Sequence, residues 1–191
     1  MGFLDSILGG RKKLETANAD RLFAMATAEV TLETSLNIKS RGVAAIVFQQ
    51  IASADFKQIL SDSEELVKSA ASDTGTTLAQ DDDEYGYRWM IFRDNEFEDL
   101  VTAVNTVATE LQAGGYGDRV LAAVFAWHDE DSHEVDFIYN FKRGRFYPFV
   151  PKPGKERDTE YELRLKAQLE RDLPFEPDLE RWFPLWDAPL S

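Results

Sequence analysis

Tyr139-Asn-Phe-Lys-Arg-Gly-Arg-Phe-Tyr-Pro-Phe-Val-Pro151 reads as two short aromatic strands joined at Arg143-Gly144. Upstream, Arg119 to Trp127 is an apolar run. Glu134 to Phe141 alternates, with Val135, Phe137, Tyr139 and Phe141 on one face. A polar turn, His128 to His133, separates these two runs. Three strands joined by short turns form a meander, and a meander pairs antiparallel. The stretch also opens a basic island. From Lys142 to Arg157 there are six basic side chains against Glu156 alone, while the 191-residue chain carries a net charge of −14.

Working back from the meander, Tyr85 to Phe92 alternates with apolar residues on both faces, which predicts a strand inside a sheet. Val43 to Phe48 is a nearly continuous apolar run and reads as a buried strand. Arg41-Gly42 breaks the pattern before it. Thr76 to Gln80 is a candidate edge strand.

Helices alternate with these runs. One begins near Ala19 and continues, less clearly, to Ile38. Ala54 to Ala71 repeats Phe56, Ile59, Leu60, Leu66, Val67 and Ala70 at helical spacing, with Ser53 as N-cap. Glu96 to Ala113 has the clearest stripe, with Asn95 able to cap it and Gly114-Gly115 ending it. Asp158 to Asp172 carries Tyr161, Leu165 and Leu169 on one face, with Glu160–Arg164 and Glu162–Lys166 spaced as helical ion pairs. The expected fold is therefore α+β. It has a single antiparallel or mixed sheet of about five to six strands and helices packed mainly on one face. The element order loosely resembles secretion-chaperone-like domains, which bind other proteins.

Two terminal segments frame this body. Residues 1–18 read as a flexible amphipathic segment. Phe3, Leu4, Ile7 and Leu8 form an apolar face, and Arg11, Lys12 and Lys13 follow, which is the pattern of a weak contact with an anionic membrane surface. Residues 19–191 read as a single domain ending in a Trp/Pro-rich tail. Trp182, Phe183, Leu185 and Trp186 are too apolar to stay in water, so the tail covers either the domain or a partner.

Composition narrows the function. There is no Cys, which removes disulfides, thiolate metal sites and cysteine nucleophiles. A net charge of −14 argues against nucleic acid, whose phosphates need a broad basic face. No apolar run approaches the roughly 18–20 residues that span a bilayer. A cytoplasmic protein with peripheral membrane contact is the expectation.

Catalytic motifs are weak. The chain has two His residues, His128 and His133, in or beside the acidic turn that also holds Asp129 and Asp131. Their five-residue separation across a turn is not a metal-ligand spacing. Asp81-Asp82-Asp83-Glu84 lacks the alternation of a calcium loop and reads as solvated. Gly114-Gly115-Tyr116-Gly117 follows a helix instead of opening one, so it is not a phosphate cradle. No cofactor is expected. The charged tip of the hairpin is the candidate partner-binding surface: Lys142, Arg143 and Arg145, joined by Tyr147 and Phe149 if these face outward.

Several stretches then carry a resemblance: 1–5 (Met-Gly-Phe-Leu-Asp), 41–45 (Arg-Gly-Val-Ala-Ala), 83–89 (Asp-Glu-Tyr-Gly-Tyr-x-Trp) and 98–103 (Glu-Asp-Leu-Val-Thr-Ala). The hairpin at 139–149 and the Trp-rich motif at 177–186 are the longest. Together they resemble the PspA-associated protein PspAB family. The resemblance implies a non-enzymatic accessory role in an envelope-stress system built on a PspA-type partner, and implies no catalytic residues. The alternative is a small-molecule-binding protein or small hydrolase with a pocket between sheet and helices, marked by His128, Asp131 and His133.

Overall fold

The computed structural model describes residues 21–190. Its main sheet has six strands: β1 (Lys39–Gln49), β2 (Thr77–Asp82), β3 (Tyr87–Arg93), β4 (Val120–His128), β5 (Glu134–Asn140) and β6 (Arg145–Phe149). Their spatial order is β2-β3-β1-β4-β5-β6, and every neighbouring pair is antiparallel. The expected meander is β4-β5-β6, and the expected edge strand is β2. Four α-helices accompany the sheet: α1 (Ala24–Leu36), α2 (Ala54–Thr74), α3 (Phe97–Ala113) and α4 (Thr159–Leu169). The fold is α+β. The membrane-contact residues expected at Phe3, Leu4, Ile7, Leu8, Arg11, Lys12 and Lys13 lie outside the described residues.

The helices share one face of the sheet. Ala44, Ile46 and Phe48 of β1, Met90 and Phe92 of β3, and Phe125 and Trp127 of β4 pack there against helical side chains. Every member of the predicted α3 stripe, from Phe97 to Leu111, is buried in this layer. Burying a large apolar side chain contributes roughly 1.5–3 kcal/mol, so this layer supplies most of the driving force for folding. In α2 the buried stripe is Phe56, Leu60, Ser63 and Val67, while Leu66 is exposed. The 4-3-4 spacing turns Leu66 and Ala70 off that face, which corrects their expected place in it. Ser63 fits the stripe because its hydroxyl donates to Ile59 O.

Local signals set the element ends. Ser53 Oγ accepts from Phe56 N–H and caps α2. Asn95 does not cap α3; Asp94 Oδ1 accepts the Glu96 N–H instead. Arg41-Gly42 does not end a strand. These residues form a bulge inside β1, where the register with β4 shifts between Ser40 and Val43. Gly42 takes φ +68° there, and a Cβ on it would sit 2.7 Å from Asp94 O. A bulge re-aims the side chains around it, and Arg41 is the residue redirected. Pro151 to Arg157 folds into a tight hairpin of β7 (Pro151–Lys152) and β8 (Glu156–Arg157).

The second face of the sheet is equally apolar. Val43, Ala45 and Val47 of β1, Trp89 of β3 and Val124 of β4 point to it, and no helix covers it. The C-terminal segment covers it instead, through Trp182, Leu185 and Leu190.

Candidate functional site

The β5–β6 hairpin turns through Phe141 to Gly144. Gly144 adopts φ +62°, and its N–H donates to Asn140 O at 2.8 Å. The Asn140 side chain accepts from Arg143 N–H. The turn sets Lys142, Arg143 and Arg145 close together at one end of the sheet. Tyr147 and Phe149, offered as exposed contacts, are instead buried in the second core. Tyr147 stacks on Trp182, and the Phe149 ring meets Trp186 edge-on at 4.9 Å. A strand at the sheet edge presents one side chain in two to each face, and here the C-terminal segment covers the outer one. Burial pushes the Tyr147 phenol pKa upward.

The basic island is largely satisfied from within. Arg143 Nε and Nη2 both bond the Glu176 carboxylate, whose side chain is 2% exposed. Arg157 Nε lies 2.9 and 3.0 Å from the two oxygens of Glu162, which is fully buried. Lys152 pairs with Asp158 and Lys155 with Asp187. Arg145 makes no ion pair among the described residues. Partial burial lowers the pKa of the Lys142 ammonium. Glu162 was expected to pair with Lys166 along its helix. It turns inward to Arg157 and accepts the Val150 N–H at 2.9 Å. Burial outweighs these favourable contacts and raises its carboxyl pKa.

Two of these pairs, Arg143–Glu176 and Lys155–Asp187, fasten a strap, residues 173–190. Leu173 and Phe175 pack on the helical face. The chain then passes the open edge of β6, where Phe146 N–H donates to Pro174 O and Glu176 N–H donates to Phe146 O. Trp182, Leu185 and Leu190 land on the opposite face. Arg157 Nη1 donates to Trp182 O at 2.6 Å, and its guanidinium lies 5.5 Å from the Phe149 ring centre. Trp182 Nε1–H donates to Glu176 O. The Trp-rich motif and the basic hairpin are therefore two halves of one closure. They stand apart in the sequence, and neither the acid nor the base of each pair is marked by local spacing.

Under the strap lie two cavities. One, about 270 Å³, is bounded by Arg41, Glu134, Asp136, Phe149, Trp186 and Asp187, among others. The other, about 350 Å³, lies towards Asp81, Asp83, Glu84 and Tyr85 and shares Leu185, Trp186 and Asp187 with the first. Both are walled by the strap, not by the helices. Asp83 in the acidic run is a turn-former: Oδ1 accepts from Tyr85 N–H and Tyr87 N–H. Asp82 bonds Arg88 in a two-pronged pair, which holds the Asp82 carboxyl below its usual pKa.

At the polar turn, Asp129 Oδ1 accepts the Asp131 and His133 N–H groups, and His133 Nδ1 lies 3.0 Å from Asp129 Oδ2. The carboxylate organises the turn. Among the described residues no group of three His, Cys, Asp or Glu is placed to hold a metal ion. No described helix is long and apolar enough to cross a membrane.

These features define an α+β protein whose sheet is sealed by helices on one face and by its own C-terminal strap on the other. The family model of PspA associated protein B matches residues 1–190, and the chain belongs to that family. The family's description is of association with PspA and names no reaction. No curated protein and no solved structure matches the chain.

Proposed function

We propose that the protein is a non-enzymatic interaction module of a PspA-linked membrane-stress response, and that it meets a PspA-type protein through the charged end of the β5–β6 hairpin. The observation that carries this reading is the family match across residues 1–190. The choice of surface is supported by Arg145, which makes no ion pair among the described residues, beside Lys142 and Arg143 on a hydrogen-bonded turn. Arginine suits acidic helix faces because its planar fork binds carboxylates two-pronged. The chain's excess of acid elsewhere disfavours nucleic acid and leaves this tip as an island of opposite sign. Peripheral contact with an anionic membrane through residues 1–13, on the cytoplasmic side, is the companion proposal.

The test is co-purification with a purified PspA-type protein. Lys142→Glu with Arg145→Glu should abolish it while circular dichroism and thermal melting stay unchanged. Arg143 is left intact in this variant because it fastens Glu176. Retained binding by the charge-reversed protein overturns the surface. No binding by the wild type overturns the association itself.

A further inference from the structure

Asp136 shares the second face of β5 with Glu134 and Ile138, and of the two acids it is the buried one. It pairs in register with Ala126 of β4 and Phe149 of β6. Only 5% of it is exposed, and its Oδ1 has no hydrogen-bond partner. A buried carboxylate left without a donor is costly, by several kcal/mol in ionised form, and native proteins seldom keep one without a reason. The nearby cations are already committed. Arg41 Nη1 lies 3.2 Å from Glu134 Oε1 and Nη2 lies 3.3 Å from Leu190 O. Lys155 is held by Asp187. The carboxylate therefore borders a cavity of about 270 Å³ in which no cation among the described residues is free to meet it.

The same cavity supplies the remaining parts of a cation site. Phe149 and Trp186 give it an aromatic wall; the Phe149 ring already carries the Arg157 guanidinium, and the Trp186 ring is the larger π surface for an ammonium or guanidinium group. Glu134 and Asp187 also line it, each already paired with a cation of the chain, so Asp136 is the carboxylate left to meet a ligand. The volume suits a group the size of one basic side chain and is below the roughly 300–1,000 Å³ of drug-sized ligand sites. We propose that the space between the sheet and the strap binds an organic cation, an alkylammonium or guanidinium group held by Asp136 against the aromatic wall that Trp186 and Phe149 form together. The second cavity adjoins across Trp186 and Asp187 and is lined by Asp81, Asp83 and Glu84. A ligand with two cationic ends has a second acidic lobe to enter. The source of the cation is a free amine or a Lys or Arg side chain of a peptide; the chemistry of recognition is the same. This site is separate from the hairpin tip, and its failure leaves the association with PspA untouched.

Calorimetric titration of the full chain at pH 8 tests the proposal, with n-butylammonium, n-propylguanidinium, spermidine and a Lys-containing hexapeptide as probes. Binding by any cationic probe, with n-butanol inert, is the expected result. Asp136→Asn keeps the shape and removes the charge, and it should weaken binding at least tenfold. Glu110→Gln, on α3 and away from the cavity, should leave it unchanged. Burial raises the Asp136 carboxyl to about 7, so a cation bound at pH 6 should release a proton, visible as a buffer-dependent heat. Free amines that compete with the peptide identify a small-molecule source; binding by the peptide alone identifies a partner's side chain. No binding by any cation overturns the proposal, as does equal affinity in Asp136→Asn or equal binding of n-butanol.

Discussion

Arg143 bonds Glu176 with both Nε and Nη2, joining the tip of the β5–β6 hairpin to a buried carboxylate of the strap itself. The two partners are not equivalent. Glu176 is buried, while the Arg143 side chain is 37% exposed. Removing the arginine strands a charge in the interior; removing the acid leaves an arginine that water can solvate. Arg143→Ala should therefore cost about 2–4 kcal/mol and Glu176→Gln about 1 kcal/mol. Urea unfolding of both variants and their double mutant measures the asymmetry, and equal costs would contradict it.

Arg157 sits where three segments meet: Glu162 on α4, Trp182 O on the strap and Phe149 on β6. Lysine has the charge but not the fork. Arg157→Lys should loosen the strap selectively. Amide exchange should quicken at 182–190 while the centre of β1 and β4 stays protected. Glu162→Ala should be more severe, about 3 kcal/mol, because it leaves a half-buried guanidinium and the buried Val150 N–H without their acceptor.

Stability should depend on pH through Asp136. Its folded pKa is raised from 3.8 to about 7 by burial first, with the neighbouring Glu134 charge adding to the rise and Arg41 opposing it. Glu134 on β5, Arg41 on β1 and Asp187 on the strap are the charged groups around its cavity. The folded protein holds this proton more tightly than the unfolded chain does. The favourable state, a neutral Asp136, is thus complete below about pH 4 and is lost as pH rises through about 7. The loss is on the order of 2–4 kcal/mol. Without added amines, Asp136→Asn should melt higher than wild type at pH 8, and the difference should vanish near pH 4. A constant difference across that range would contradict the assignment.

Gly42 is required by its backbone. At φ +68° any other residue is strained, and a Cβ would press on Asp94 O at 2.7 Å. Gly42→Ala should cost about 2 kcal/mol, lowering the melting temperature by roughly 4–8 °C for a domain of this size. Because the bulge directs Arg41, the variant should also weaken any ligand of the Asp136 cavity.

The sheet and helices were legible because their signals are local and periodic. Tyr87, Trp89 and Ile91 alternate with Met90 and Phe92, and that pattern alone announces a strand covered on both faces. Ser53 caps α2 as its side-chain chemistry dictates. What was not legible depends on residues far apart in the chain. Asp136 falls at a position that reads as solvent-facing beside Val135 and Phe137, and only the strap's path buries it. The basic island looked like a free surface because its acids, Glu162, Glu176 and Asp187, are supplied by α4 and the strap. Tyr147 and Phe149 have the right residue types for a contact surface, but their outward face is occupied by Trp182 and Trp186.

The bond from Arg41 to Leu190 spans 149 residues of sequence. A contact of that range forms late, because a long loop must be closed before it returns any energy. The strap lands on side chains from β1, β3, β4, β5 and β6, so its binding surface exists only once those strands have assembled. Refolding should therefore run in at least two stages: helices condense on one side first, and Trp182 and Trp186 report a slower second event. In the interval the bare side of the sheet is open to any neighbouring molecule, and that interval sets the protein's exposure to aggregation.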